Sequence, residues 1–370
     1  MKVEFNNLFL QNNFVLNYSK KMFTEAIKHS KFIGGKEISN FEKNFAKKMN
    51  SKYCISVANG TDALIISLKC LGIKSGDEVI TSAHTWVSTA GAIVAVGARP
   101  VFVDTDKYFT IDTKKIEAKI NRKTKAIIPV HLYGQSCEMD KLLNIARKYK
   151  VKIIEDCAQA HLSKYKNKIL GNFGDVGTFS FFPGKNLGSI GDAGAIICNN
   201  KKIYNSLKLY KNHGSFKKNN HQTFGINSRM DNIHALFLNK KLKFLDKFNN
   251  NRIRIAKKYQ LKLISNKYLE LPQLRENTIH TFHQYVIKVK KKRKSLIDYL
   301  KKKNISTGIH YPKMIINLKP YKKFANKKEF KNCLKDEKYI ISLPIHPFLT
   351  NKEIDFVCKI INDYFKTKNY

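Results

Sequence analysis

The sequence predicts an α/β protein built on a mainly parallel β-sheet, with a smaller α+β domain at its C-terminal end. Three observations carry this. From residue 36 onward, short apolar segments alternate with amphipathic helical ones. The strand-like segments are apolar throughout rather than at every second position, the pattern of a sheet covered on both faces. And 370 residues can bury one large core beside a smaller one. The spacing of elements puts the boundary near residue 240, with a large domain over 1–240 and a small one over 241–370.

The elements follow in order. Ile38, Phe41, Phe45 and Met49 recur at three- and four-residue intervals, which predicts an amphipathic helix in "KEISNFEKNFAKKMN". "YCISVA" reads as a strand, and a helix opens directly after Asn59-Gly60-Thr61. "DEVITS", "RPVFVDT", "KAIIPVHL" and "VKIIEDC" are further strands. Between them lie the helices "TWVSTAGAIVAVGA", a segment near 112–120, and "MDKLLNIARKYK". "VGTFSFF" and "GAIICN" are joined by too few residues for a helical crossover, so that pair is expected to be antiparallel. Helical sequence dominates from Met230 to about Leu263. After it, "HQYVIKV", "STGIHYP" and "ISLPIHP" alternate with helices as a terminal domain. The first 30 or so residues have no clear place by pattern, and are expected to pack with the small domain or a partner subunit.

Lys and Arg total 69 against 28 Asp and Glu, a formal net charge of +41. Such an excess suits either an anionic partner, including nucleic acid, or lysine-rich solvated faces. The lysines are spread in short runs, as in "KKKRK" at 290–294, with no basic arm or basic-region helix. Solvated faces are therefore the favoured reading, and nucleic-acid binding is the alternative from another class. The seven cysteines are scattered and form no C-x-x-C pair, which argues against a disulfide framework and a zinc site. No apolar run reaches the length of a membrane span. A cytoplasmic protein is expected.

The chemistry centres on Ser180 to Ala195, "SFFPGKNLGSIGDAGA". Lys185 is not a P-loop lysine: Phe179 stands where the first Walker glycine belongs, and Asn186 follows the lysine. Gly188, Gly191 and Gly194 precede a strand rather than a helix, so they mark close backbone approach instead of a dinucleotide fingerprint. "ANGTDAL" is the better anion site. There a helix begins at a strand-to-helix turn and offers free N–H groups, a positive dipole end and the Thr61 hydroxyl. Asp156 ends an apolar strand in "IIEDCAQAH" and could be a cap, a metal ligand or the partner of a buried cation. Adjacent Glu155 points to the opposite face of that strand. A carboxylate at a strand end, a helix-terminus anion site and a lysine in a glycine-rich turn together suit pyridoxal 5'-phosphate (PLP), with no metal.

"ANGTDAL", "PVHLYGQ", "IIEDCAQAH", "GDVGTFSFFPGKNLGSIGDAGAI", "INSRMDNIHA", "IHYP" and "SLPIHP" occur in the order seen in one family. The chain resembles the DegT/DnrJ/EryC1/StrS aminotransferases over essentially its whole length. That resemblance implies the fold type I architecture of the aspartate aminotransferase superfamily, a PLP cofactor and a homodimer with shared active sites. It implies Lys185 as the lysine bonded to the cofactor and then the proton-moving base. It likewise implies Asp156 as the partner of the pyridine nitrogen, Gln159 as the neighbour of the phenolic oxygen, and Trp86 as the aromatic stacked on the ring. Gly60, Thr61 and Ser180 are implied as phosphate contacts, with Asn227 reaching the phosphate from the other subunit. His131, His310 and Tyr311 are candidate substrate contacts. Two departures stand out: His161-Leu162-Ser163 where the family often has His-Gly-Ala, and Ala193 where a second glycine is common.

The implied activity is transfer of an amino group from an amino acid, L-glutamate by expectation, to a keto-sugar linked to a nucleoside diphosphate, for polysaccharide or glycan synthesis. Lysine rather than histidine at 185 favours transamination over dehydration, and Gln159 favours amination at sugar C3 over C4. A cyclitol aminotransferase of the scyllo-inosose type is the nearest alternative.

Overall fold

The structure is a computed structural model that describes residues 1–18, 20–217 and 219–366. Two short helices, α1 (Leu8–Leu16) and α2 (Lys20–Lys28), precede the predicted helix α3 (Lys36–Met49). The strands β1 (Tyr53–Val57), β2 (Glu78–Ser82), β3 (Arg99–Val103), β4 (Thr124–Ile128), β5 (Lys152–Asp156), β6 (Val176–Ser180) and β7 (Gly194–Cys198) form one sheet in the order β1-β7-β6-β5-β4-β2-β3. Among the described residues, every pairing in that sheet is parallel except those of β7, which runs against both β1 and β6. The short connection between β6 and β7 makes them an antiparallel neighbouring pair, as their spacing predicts. The stretch around Lys185 is that connection.

Both faces of the sheet are covered because both carry apolar side chains. Within β5, Ile153 enters one core and Ile154 the other. The first core packs under α3, α6 (Met139–Tyr149) and α8 (Asn232–Leu242). Part of it is an aromatic cluster: Phe41 and Phe45 meet Phe181 edge-on at 5.4 and 5.2 Å, and Phe45 meets Phe179 at 5.2 Å. Each such buried ring contributes about 1.5–3 kcal/mol by transfer from water. The second core lies under α4 (Gly60–Cys70), α5 (Val87–Ala95) and α7 (Lys201–Tyr210).

Beyond α9 (Leu245–Leu263), a three-stranded antiparallel sheet of Leu269–Glu270, Tyr285–Val289 and Ile340–Leu343 packs with α10 (Arg293–Lys302) and α12 (Asn351–Lys366) around a separate core, and α11 (Lys331–Tyr339) lies against Tyr285–Val289. A fourth cluster bridges the two parts, with Ala83, Ala90 and Phe102 from the large sheet's side against Val286, Met314 and Ile315. No helix among the described residues is long and apolar enough to cross a membrane.

The structure corrects two element expectations. The segment near 112–120 is a pair of 3-10 turns, Thr113–Lys115 and Glu117–Lys119, because so few residues cannot offset the cost of nucleating an α-helix. "STGIHYP" forms a single bridge, Gly308 to Ser342, rather than a strand. The N-terminal residues divide between the two units: α1 and α2 lie on α8, with Phe23 stacked on Phe237 at 6.4 Å, while the residues before α1 reach the small unit and the site. Val3 is fully buried and pairs with Ile305, and Phe14 packs against Phe244, Phe248 and Phe348. Phe5 stacks on His310 at 5.6 Å.

Glu155 ties this framework together below the sheet. Fully buried, it accepts hydrogen bonds from the backbone N–H groups of Gly171 (2.8 Å), Phe173 (2.7 Å) and Gly174 (2.8 Å), and from His131 Nε2 (3.0 Å). Truncation would leave one buried and two part-buried N–H groups without their acceptor. Glu155→Ala is expected to lower unfolding stability by roughly 3–5 kcal/mol, read as a fall in the urea midpoint, whereas Glu276→Ala, at an exposed position before Thr278–Ile279, should cost under about 1 kcal/mol.

Candidate active site

The carboxyl ends of β5 and β6 and the N-termini of α4 and α5 converge on one cavity of about 690 Å³. Ligands gather at this edge of an open α/β sheet because helix N-termini and strand ends both point there. Gly60, Thr61, Trp86, Asp156, Gln159, Ser180, Lys185, His310 and Tyr311, dispersed over 250 residues of sequence, all line it.

At one end, the Asn59 side chain accepts from Asp62 N at 2.8 Å, and the Asn59 carbonyl takes the Ala63 N–H at 3.1 Å. The Gly60 and Thr61 N–H groups then have no protein partner among the described residues and face the cavity at a helix N-terminus, an arrangement made for a phosphate. Thr61 Oγ1 and Ser88 Oγ, 2.8 Å apart, and Ser180 complete the cradle. Space sets the residue types here. A Cβ on Gly60 would lie 2.7 Å from Ser180 Cβ, and one on Gly194 would lie 2.4 Å from the Asn59 carbonyl oxygen. The glycines after Lys185 therefore serve close approach, as expected, although what they approach is the chain itself: a Cβ on Gly188 would meet the Pro183 oxygen at 2.0 Å, and one on Gly191 the His234 ring at 2.7 Å.

Asp156 closes the floor. Its carboxylate accepts from Thr89 Oγ1 at 2.9 Å and from Ala158 N at 3.2 Å. Burial raises its pKa, and these hydrogen bonds and Lys185 only partly offset that. An acid left short of positive charge is the partner that a cationic ring nitrogen requires. Burial likewise pushes the Lys185 ammonium down to about 8, against a smaller opposing pull from Asp156. About a tenth of it is then the neutral nucleophile at pH 7, against well under a thousandth for an ordinary lysine. Trp86 leaves 54% of its surface open, facing the cavity beside Tyr311 with ring centroids 5.3 Å apart. Phosphate cradle, acid, amine and aromatic wall are the four features PLP needs, so the residues fit that cofactor.

The loop carrying Lys185 is held from behind by groups that no sequence motif marked. Asn186 Nδ2 donates to Asn249 Oδ1 (2.9 Å) and the Thr281 carbonyl (3.2 Å), while His283 Nδ1 pairs with Asn186 Oδ1 at 3.2 Å. Buried Lys241 donates to the Gly188 carbonyl at 2.9 Å. Phe5, Asn6, His283 and Gln284 also line the cavity. Phe5 and Asn6 arrive from a segment without periodicity, and His283 and Gln284 precede a strand whose apolar run drew the reading away from them.

Two expected residues lie elsewhere. Asn227 is exposed, on the loop that follows a hairpin of Ser215–Lys217 and Asn220–His221, and does not line this chain's cavity. The expectation that His131 contacts substrate is corrected. It is fully buried on the Glu155 side of the sheet, its Nε2 paired with Glu155 and its Nδ1 accepting from Cys137 N at 3.2 Å. His131, Glu155 and Cys157 are close enough together to suggest a metal site. With both imidazole nitrogens engaged, His131 has no lone pair to offer one.

A sequence profile of the DegT/DnrJ/EryC1/StrS aminotransferase family matches residues 16–362. The chain is 40% identical over 334 residues to the dTDP-3-amino-3,6-dideoxy-alpha-D-galactopyranose transaminase of Aneurinibacillus thermoaerophilus, covering 90% of this chain and 91% of the relative. It is 37% identical over 339 residues to the UDP-2-acetamido-2-deoxy-3-oxo-D-glucuronate aminotransferase of Pseudomonas aeruginosa, covering 91% and 93%. Its fold superposes on the crystal structure of S. venezuelae DesV in complex with a ketimine intermediate with a TM-score of 0.95, at 31% identity and 98% coverage of each chain.

Three outcomes test the site. Lys185→Ala should abolish the visible absorbance that the purified protein gains with PLP. In the wild type, the rate of covalent PLP capture should rise with pH around a midpoint near 8, since the amine must lose its proton to attack, rather than near the 10.5 of an ordinary lysine. Gly60→Ala should weaken PLP retention at least tenfold in equilibrium dialysis, because its Cβ overlaps Ser180 where the cradle must close.

Proposed function

This chain belongs to the DegT/DnrJ/EryC1/StrS family of PLP-dependent aminotransferases acting on nucleotide-linked sugars, and from that premise we propose that it moves an amino group from L-glutamate to C3 of a keto-sugar carried on a nucleoside diphosphate. The observation that carries the chemistry is the placing of Lys185, its basicity reduced, against Asp156 in the cavity headed by the Gly60-Thr61 helix terminus. Support for C3 comes from Gln159 and from two relatives whose names carry a 3-amino and a 3-oxo sugar.

When bound, the cofactor supplies an electron sink for the charge left on a carbon that loses its proton. The protein's part divides among the residues described. Gly60, Thr61, Ser88 and Ser180 would hold the phosphate. Asp156, kept ionised by a cationic partner, would keep the ring nitrogen protonated. Trp86 would confine the ring from one side. Lys185 would hold the cofactor through its amine and, as a free amine of lowered basicity, would take a proton from one carbon and return it to another. Phe5, Asn6, His283, Gln284, His310 and Tyr311 wall the side left for the sugar. Burial holds His310 at about 4, so it meets the substrate neutral.

The same proposal makes the protein a homodimer. Phe182, Ile190, Phe216 and Phe224 are exposed apolar residues on the Lys185 loop and on the hairpin and loop leading to Asn227, and Phe224 is 94% exposed. A partner subunit seated there would bury them and bring its own Asn227 to this cavity.

A panel of dTDP-, UDP- and GDP-linked 3-keto and 4-keto sugars with L-glutamate tests the substrate. The expected outcome is turnover on a 3-keto member with release of 2-oxoglutarate, and preference for a 4-keto member would overturn the C3 assignment. Subunit sharing has its own test. Lys185→Ala and Asn227→Ala chains, each impaired alone, should recover activity when co-expressed, because the Asn227→Ala chain then keeps its lysine and borrows Asn227.

A further inference from the structure

Gln159 has two partners whose chemistry fixes the orientation of its amide. Its Oε1 lies 2.7 Å from the backbone nitrogen of Tyr133. A backbone N–H can only donate, so the end of the amide that faces it is the oxygen. The amide nitrogen is thereby turned to the Tyr311 hydroxyl, 2.9 Å away, as a donor. A phenol oxygen that accepts a hydrogen bond keeps its own single proton for another partner. Among the described residues no protein atom takes that proton, and Tyr311 lines the cavity with Lys185, Asp156 and Trp86.

The first link is held rigidly. Tyr133 sits in the left-handed region at φ 61°, its carbonyl accepts from His283 N at 2.8 Å, and its ring packs edge-on against Phe109 and His84. Its hydroxyl donates to the carbonyl of His310, the residue before Tyr311. One residue thus grips both ends, with its N–H on Gln159 and its side chain on the segment that carries Tyr311.

We propose that Tyr133, Gln159 and Tyr311 form a one-way hydrogen-bond relay that presents the Tyr311 O–H as a fixed donor to the keto oxygen of the carbon receiving the amine. Tyr133 and Gln159 are positioning residues, and Tyr311 touches the reacting oxygen. The choice of that oxygen rests on the aminotransferase reading, whereas the direction of the relay does not. Tyr311 keeps its proton: burial raises its pKa far above the ordinary value, so it donates a hydrogen bond to the oxygen as electron density builds there and transfers no proton. A donor already oriented needs no reorganisation when the charge appears. The identity of residue 159 sets the polarity. A carboxylate there would accept from Tyr133 and from Tyr311 alike, drawing the phenol proton inward and leaving the cavity without its donor.

The direction gives a sign that can be measured. With 2,3,5,6-tetrafluorotyrosine placed at position 311, whose electron-poor phenol ionises several pH units below that of tyrosine, a 19F titration of the protein, with and without PLP, reports ionisation of that one phenol. An N–H donated by Gln159 stabilises the ionised phenol. Gln159→Leu is therefore expected to raise the ionisation pH by about one unit. If the phenol instead donated to Gln159, the same change would lower it, and a fall or no shift overturns the relay. The titratable groups facing Tyr311 are Asp156 at the end of β5, Tyr133 on its turn, His310 beside it and Lys185 on its loop. All are present in both proteins, so their effects cancel in the difference.

Kinetics supply the second arm, with the sugar nucleotide that turns over fastest in the panel above. Tyr311→Phe and Gln159→Glu should each lower kcat about 100-fold with KM within about threefold, and the double variant should be no slower than the single ones. Losses that multiply overturn the relay. A wild type inactive on the whole panel, with the fluorotyrosine shift as expected, refutes the substrate assignment and leaves the relay standing. A wrong-signed shift refutes the relay whatever the panel shows.

Discussion

The twofold alternation of a single strand organises this molecule. In β5, Glu155 and Asp156 are neighbours in sequence and so project to opposite faces of the sheet. Below, Glu155 gathers three backbone N–H groups and an imidazole, fixing the segment that leads into β6. Above, Asp156 is the acid of the cavity. Its backbone is held on both sides, the N–H donating to the Pro129 carbonyl at 2.9 Å and the carbonyl accepting from His131 N at 3.0 Å. Anchoring one carboxylate in the structure is what makes the other available for chemistry.

Charge is handled in opposite ways inside and outside. The surface carries most of a +41 excess, where water screens it. The lysine at the centre of the site is instead discouraged from being charged, brought to about 8 by burial, while Asp156 is pushed the other way. Each of the two charges partly sustains its neighbour. A cofactor able to present a cation to Asp156 and a carbonyl to Lys185 would relieve both at once, so the protein's own charges are prepared for it. Lys241, also buried, is held at about 7 with a carbonyl for a partner and, among the described residues, no carboxylate, a cost accepted behind the loop it pins.

Much of the site was legible because its parts are local signals. The Gly60-Thr61 turn, Asp156 at the end of an apolar run and Lys185 among glycines each carry a mark that survives without the fold. The residues missed lack such marks. Phe5 and Asn6 lie in a segment without periodicity, and they reach the cavity because Val3 pairs with Ile305 and carries the chain across the small unit. His131 misled in the other direction. A histidine beside a strand end has the same appearance in sequence whether it faces substrate or is sealed against Glu155, and only its neighbours in space distinguish the two.

By itself the sequence determined the alternation of strands and helices, the two-sided covering of the sheet, the antiparallel partnership of β6 and β7 and the lysine, acid and anion turn of the site. These depend on side-chain periodicity and on spacings too short for a crossover. Tertiary structure alone decided the strand order, the shortening of 112–120 to two turns, the place of the N-terminal segment and the direction of the hydrogen bonds joining Tyr133, Gln159 and Tyr311. The physical reason is one of distance along the chain. Gln159 meets its two partners 26 residues before it and 152 after it, and hydrogen-bond polarity is a property of the groups that face one another, which no local pattern records.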